Sequence, residues 1–128
     1  MMLRRSQAIG VTLTGLVLLV AGSSLGQGQQ PANGKELFER RCGGCHALDR
    51  DKEGPRLAGI YGRMAGSVDS FEYSDALKKS RIVWTDESLD KWLTDPEQLV
   101  PNSNMGFHLE KAGERSEIIA YLKKSSGR

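Results

Sequence analysis

Residues 41 to 50, "RCGGCHALDR", hold both cysteines of the chain, Cys42 and Cys45, and the first of its two histidines, His46. Two thiols and an imidazole fall within one short stretch of backbone. Whatever these groups bind, the rest of the chain must fold around it. Just upstream, "GKELFERR" (Gly34 to Arg41) reads as a short helix, with Leu37 and Phe38 on an apolar side and the charged residues facing water. The motif therefore sits at a helix end.

Four readings of "CGGCH" compete. A bare structural disulfide suits an exported chain, but leaves the adjacent histidine accidental. A thioredoxin-like redox pair needs a preceding strand and a βαβ context, and the sequence has neither. Zinc would take Cys42, Cys45 and His46, with His108 as the only other histidine. In the fourth reading both thiols add to haem vinyl groups as thioethers, and the next residue turns its imidazole onto the iron. Spacing favours this one, since a helix end lets all three side chains reach one macrocycle. Beyond the motif lie Gly54, Pro55, Gly59, Gly62 and Gly66. Their spacing forbids long regular elements and suggests a loop folded around a flat ligand.

Residues 1–26 have the order of a secretory signal. Arg4 and Arg5 come first, then the uncharged "AIGVTLTGLVLLVAG", then a small, polar stretch with a plausible cut after Gly26. The rival is an uncleaved anchor through residues 8–26, and either form exports the domain, to the periplasm. Residues 27–32 are a flexible lead-in, 33–124 the domain and 125–128 a C-terminal tail. About 100 residues make one small core, much of which a large bound group would fill.

Further along, "FEYSDALKKS" predicts one or two helical turns. "TDESLDKWLTDP" predicts a helix capped by Thr85 or Asp86, with Leu89, Trp92 and Leu93 on one side and a stop near Pro96. "EQLVPNSNMGF" reads as irregular. "GERSEIIAYLKKSSG" is the last helix, with Ile118, Ile119 and Leu122 inward and Lys123 and Lys124 late, as the helix dipole prefers. No segment alternates as a strand.

With "GPRLAGIYGRMAG", "SFEYSDALKKSRIVW", "LDKWLTDPEQLVPNSNM" and "ERSEIIAYLKK" added to the motif, the chain resembles a class I cytochrome c, close to the mitochondrial cytochrome c and bacterial cytochrome c2 pattern, over nearly all of residues 33–124. The resemblance implies an all-α fold, three main helices and loops around one covalently bound haem c. It implies thioethers at Cys42 and Cys45, His46 as proximal ligand and Pro55 as the carbonyl that holds the imidazole proton. It further implies Arg63, Tyr73 and Trp84 on the haem propionates, Met105 as distal ligand, and a contact of Gly34 and Phe38 with Tyr121. The chemistry of Met105 agrees: a thioether is soft, favours ferrous iron and raises the potential. Residues 27–128 contain only Met64 and Met105, and Met64 lies in the "GRMAG" turn beside Arg63. His108 would be a replacement ligand only if the loop moved.

The sequence also departs from that pattern. Trp92 stands where a tyrosine is usual beside the methionine sulfur. "PNSNM" (Pro101 to Met105) replaces "PGTKM", so Ser103 keeps a hydroxyl and Asn104 loses the familiar lysine. Leu77 replaces an asparagine that commonly holds an internal water, and the loop from His46 to Gly54 is shorter than usual.

The whole chain has 18 basic and 16 acidic side chains. Removing Arg4 and Arg5 leaves 16 and 16, which argues against nucleic acid as a partner. Lys35, Arg40 and Arg41 form a candidate basic docking patch, and Lys78, Lys79 and Arg81 a second group. The expected function is one-electron shuttling as a soluble carrier, and no enzyme. The partners would be redox proteins such as a cytochrome complex, oxidase, reductase, dehydrogenase or reaction centre. Membrane contact would come only through partners unless residues 8–26 are retained. The alternatives are a membrane-anchored haem subunit of a respiratory complex, or a haem enzyme or sensor with a labile distal ligand.

Overall fold

A computed structural model of the chain describes residues 33–127. The expected signal and lead-in, and Arg128, lie outside the described residues. Five helices follow in order: α1 (Gly34–Arg41), α2 (Asp75–Lys79), α3 (Asp86–Thr94), α4 (Pro96–Leu99) and α5 (Ala112–Ser125). Among the described residues there is no sheet, only an isolated antiparallel bridge between Met64 and Val83. The architecture is all-α, with α1, α3 and α5 as its substantial helices.

Local chemistry sets most of the boundaries. Asn33 caps α1 by accepting from the Glu36 N–H at 3.0 Å. Ser74 caps α2 in the same way, accepting from the Leu77 N–H. Of the two candidates for α3, Thr85 is the cap, and it forms a reciprocal capping box with Ser88. Pro96 does more than end α3. Lacking an N–H, it cannot extend that helix, but it suits the first position of a new one. Asp95 accepts from the Gln98 N–H at 3.1 Å, and Pro96–Leu99 forms a helical turn where an irregular segment was expected. At the other end α5 runs through Ser125, and the Ser126 hydroxyl accepts from the Tyr61 N–H at 3.2 Å. Ser125 and Ser126 thus belong to the packed unit and not to a free tail.

α1 and α5 make the most extensive helix–helix contact, and α3 also packs on α5. Phe38 and Tyr121 meet with ring centroids 5.5 Å apart. Gly34 lies directly against the Glu117 carbonyl and the Tyr121 side chain, leaving no room for a Cβ. Gly34→Ala is expected to destabilise the fold by about 1–3 kcal/mol through overpacking, read as a lower urea midpoint. An unchanged midpoint would remove this contact from the account. The core gathers Leu37 and Phe38 of α1, Leu89, Trp92 and Leu93 of α3, and Ile118, Ile119 and Leu122 of α5. Ile118 is fully buried.

Candidate functional site

The chain leaves α1 through a pair of tight turns. Cys42 caps the helix with its N–H on the Phe38 carbonyl at 2.8 Å, and the Cys45 and His46 N–H groups both donate to the Cys42 carbonyl. This curl turns Cys42, Cys45 and His46 toward one cavity of about 620 Å³. Pro55, Arg63, Tyr73, Trp84, Trp92, Ser103 and Met105 line the same cavity. All ten residues singled out from the sequence are therefore brought to one place.

His46 is held tightly. Its Nδ1 lies 2.8 Å from the Pro55 carbonyl. A carbonyl only accepts, so Nδ1 carries the proton and Nε2 keeps its lone pair for a metal. A Cβ at Gly54 would run into the imidazole ring, which makes glycine the residue that fits there. Burial lowers the His46 pKa, and nearby Lys52 pushes the same way, outweighing the Pro55 bond; the ring is kept neutral, as a ligand must be. Lys52 also ties the motif in place, donating from Nζ to the Gly43 carbonyl at 2.5 Å.

Cys42 does not resemble a reactive redox thiol. Burial, then the neighbouring Cys45, pushes the Cys42 thiol up to about 11. Reactive CxxC thiols have depressed values. The zinc reading loses its fourth ligand as well. His108 does not line the cavity; its Nδ1 is 3.3 Å from the Thr94 carbonyl and 3.9 Å from Asp95. Among the described residues, no group of three or more His, Cys, Asp or Glu side chains could hold a metal ion.

Both methionines among the described residues, Met64 and Met105, reach the cavity. Met105 is half-buried and packs on the core, whereas Met64 is 51% exposed. Trp84 and Trp92 are buried and tilted against each other, centroids 5.3 Å apart. Leu77 is buried in the wall. At another part of the wall Arg63 donates to the Ala58 and Arg56 carbonyls at 3.1 and 3.2 Å. Burial raises the Tyr73 phenol pKa, and the Arg63 charge opposes that rise.

The walls fit a haem in size and chemistry. The volume lies within the roughly 300–1,000 Å³ of cofactor clefts. The Ser103 hydroxyl is buried on the cavity wall without a hydrogen-bond partner, a polar atom that a bound group with acceptors would satisfy.

Sequence reasoning missed three groups around this site. Asp51 accepts from the Ser70 hydroxyl at 2.5 Å and the Arg56 N–H at 2.8 Å, while Arg56 Nη1 donates to Ser70. These bonds hold the Asp51 carboxyl below its usual range. Glu97 accepts from the Asn102 N–H through both carboxylate oxygens, 3.0 Å each. Arg115, 9% exposed, donates to Asp90 and to two backbone carbonyls. For Arg115 the signal was present, since positions 115, 118, 119 and 122 form one helical stripe.

Comparison with known proteins agrees with the geometry. The cytochrome c family pattern matches residues 31–126. The chain is 44% identical over 102 residues to cytochrome c of Theileria annulata, covering 77% of this chain and 88% of that protein. It is 47% identical over 93 residues to cytochrome c of Euglena viridis, covering 70% and 91%. The solved structure of cytochrome cH from Methylobacterium extorquens superposes with a TM-score of 0.69 at 37% identity, covering 74% of this chain and 98% of that one. An all-α frame with two cysteines placed for covalent haem attachment, matched by sequence and by shape, means that this chain belongs to the class I cytochrome c family.

Proposed function

We propose that the protein is a one-electron carrier holding one haem c through Cys42 and Cys45, with His46 and Met105 as axial ligands. What carries this reading is the convergence of both thiols, a proton-fixed imidazole and the Met105 thioether on a single cavity. Bound there, the haem supplies one reversible ferrous–ferric change at its iron. The chain does the rest. Pro55 fixes the tautomer and direction of His46. Met105 offers a soft, neutral donor. Trp84, Trp92 and Leu77 form a buried apolar wall that excludes water. Arg63, Tyr73, Trp84 and Ser103 offer donors to the propionate carboxylates. Ligands that stay in place through oxidation and reduction leave little to reorganise, which suits a carrier and no enzyme. Exchange then occurs in brief encounters with redox proteins, for which small interfaces are enough.

We also propose that the domain works in an exported compartment, the periplasm, on the strength of the order of residues 1–26. No helix among the described residues is long and apolar enough to cross a membrane. Intact mass of the purified protein tests both points. The expected species starts near Gln27 and carries one haem. A mass without haem would overturn the attachment, and an intact residue 8–26 segment in the membrane fraction would overturn cleavage.

Two of the three cations in the basic patch expected at Lys35, Arg40 and Arg41 have acidic neighbours. Lys35 lies 3.8 Å from Glu39, and Arg41 makes a two-point pair with Glu114 at 2.9 and 3.1 Å. Lys78 and Lys79 pair with Glu72 and Asp75. Steering by charge is accordingly weak. Oxidation by anionic hexacyanoferrate is expected to slow by less than about threefold as the Debye length shrinks from roughly 30 to 10 Å. A steep decline with salt, absent in Arg40→Gln, would restore a working patch.

A further inference from the structure

The segment that carries Met105 is held in an unusual way. Val100 donates its N–H to Pro96 and Leu109 donates to Leu93, but between them, residues 101–108 make no backbone–backbone hydrogen bond among the described residues. Two residues in this stretch, Asn102 and Asn104, have left-handed φ values of 64° and 68°. Asparagine tolerates that region better than most residues, at a cost the surroundings must hold. Side chains from elsewhere supply the hold. Glu97 anchors the outgoing end through Asn102, and the Ser74 hydroxyl donates to the Ser103 carbonyl at 3.3 Å.

The returning end is anchored by Arg115. Its Nη1 donates to the Leu109 and Glu110 carbonyls, both at 2.8 Å, and its Nε donates to Asp90 on α3 at 2.7 Å. Arg115 is the one buried charged residue among those described. Such a group is costly to bury unless its donors are matched, and removing it strands its acceptors.

The geometry points to Arg115 as a positioning residue for Met105. From α5 it fixes the end of the loop that bears the thioether, and it sets how readily that loop opens to admit another ligand. This rests on the reading of Met105 as distal ligand. A purely structural role would lower stability without changing loop opening, so the two are separable.

Imidazole titration of the ferric holoprotein measures loop opening, because added imidazole binds only where Met105 has been displaced. Arg115→Met is expected to tighten imidazole binding by about tenfold or more, the scale of losing charge-assisted hydrogen bonds at one end of the loop. Arg115→Lys keeps the charge but not the fork and is expected to fall in between. Lys123→Gln breaks another link between α5 and α3, the 3.0 Å pair with Asp86, and is expected to leave imidazole affinity unchanged. Hydrogen exchange is expected to accelerate at the two hydrogen-bonded amides of this stretch, Asn102 and Leu109, in the Arg115 variants more than in the middle of α5. If Arg115→Met does not fold, Arg115→Lys decides alone. Wild-type imidazole affinity in the Arg115 variants that fold would overturn the proposal, even if their urea midpoints fall. Met105→Ala separates this failure from the other: if the weak near-infrared thioether-to-iron band survives in it, the ligand reading fails and the Arg115 role falls with it.

Discussion

Replacing Cys42 and Cys45 together by alanine is expected to leave no haem on the chain after denaturing electrophoresis, and little folded protein in the extract. Two arguments converge on the size of this effect. The cavity of about 620 Å³ is walled by core residues, among them Leu57, Ile60, Trp84, Trp92, Ile118 and Leu122. Without the haem those apolar walls face water instead of a bound group, and a domain whose whole stability is only about 5–15 kcal/mol has little to offset that loss of burial. A domain of about 100 residues has no second core to compensate. Thioether bonds keep the group in place whatever the ligands do, so losing both bonds exposes the fold to the full cost. A haem-stained band that persists in the double variant would sink the covalent assignment. Normal yield of a cooperatively folded, haem-free variant would sink the argument from the cavity.

Met105→Ala has the second largest expected effect. The weak near-infrared band of the ferric protein is expected to vanish. The potential is expected to fall on the order of 0.2 V, a fraction of the roughly 0.8 V that haem axial ligands span. The sign follows from the donor: a thioether favours ferrous iron, and its removal favours ferric. Met64 is the internal control. It lines the same cavity but is 51% exposed, and Met64→Leu is expected to leave band and potential nearly unchanged. Should Met64→Leu remove the band and Met105→Ala spare it, the two methionines have been assigned the wrong way round.

Features written in local chemistry were legible from the sequence. "CGGCH" announced itself by residue type and spacing, the α5 stripe by its period, and the start of α3 by the pair Thr85 and Asp86, of which Thr85 is the cap. Pro96 was read as a stop because proline ends helices. It was not read as a start, which depends on Asp95 reaching the Gln98 N–H. Distance along the chain hid several pairings. Arg41 looked like a free cation because Glu114 lies 73 residues away, and the Asp51–Ser70 bond spans 19. Arg115 interrupts an apolar stripe with a charge, and its burial makes sense only once the loop carbonyls and Asp90 converge on it. The left-handed Asn102 and Asn104 were visible only as departures from a familiar loop, with no conformation attached.

Single-electron carriage by this chain, as proposed, has both axial positions of the haem filled. Spectroelectrochemical titration of the purified protein at neutral pH, followed by carbon monoxide added to the reduced form, tests it most directly. One reversible one-electron step is expected, with a ferrous spectrum that carbon monoxide leaves unchanged, as it would be with His46 and Met105 as the two axial ligands. An immediate spectral change on adding carbon monoxide would mean an open distal position, and the protein would be a haem enzyme or sensor rather than a carrier.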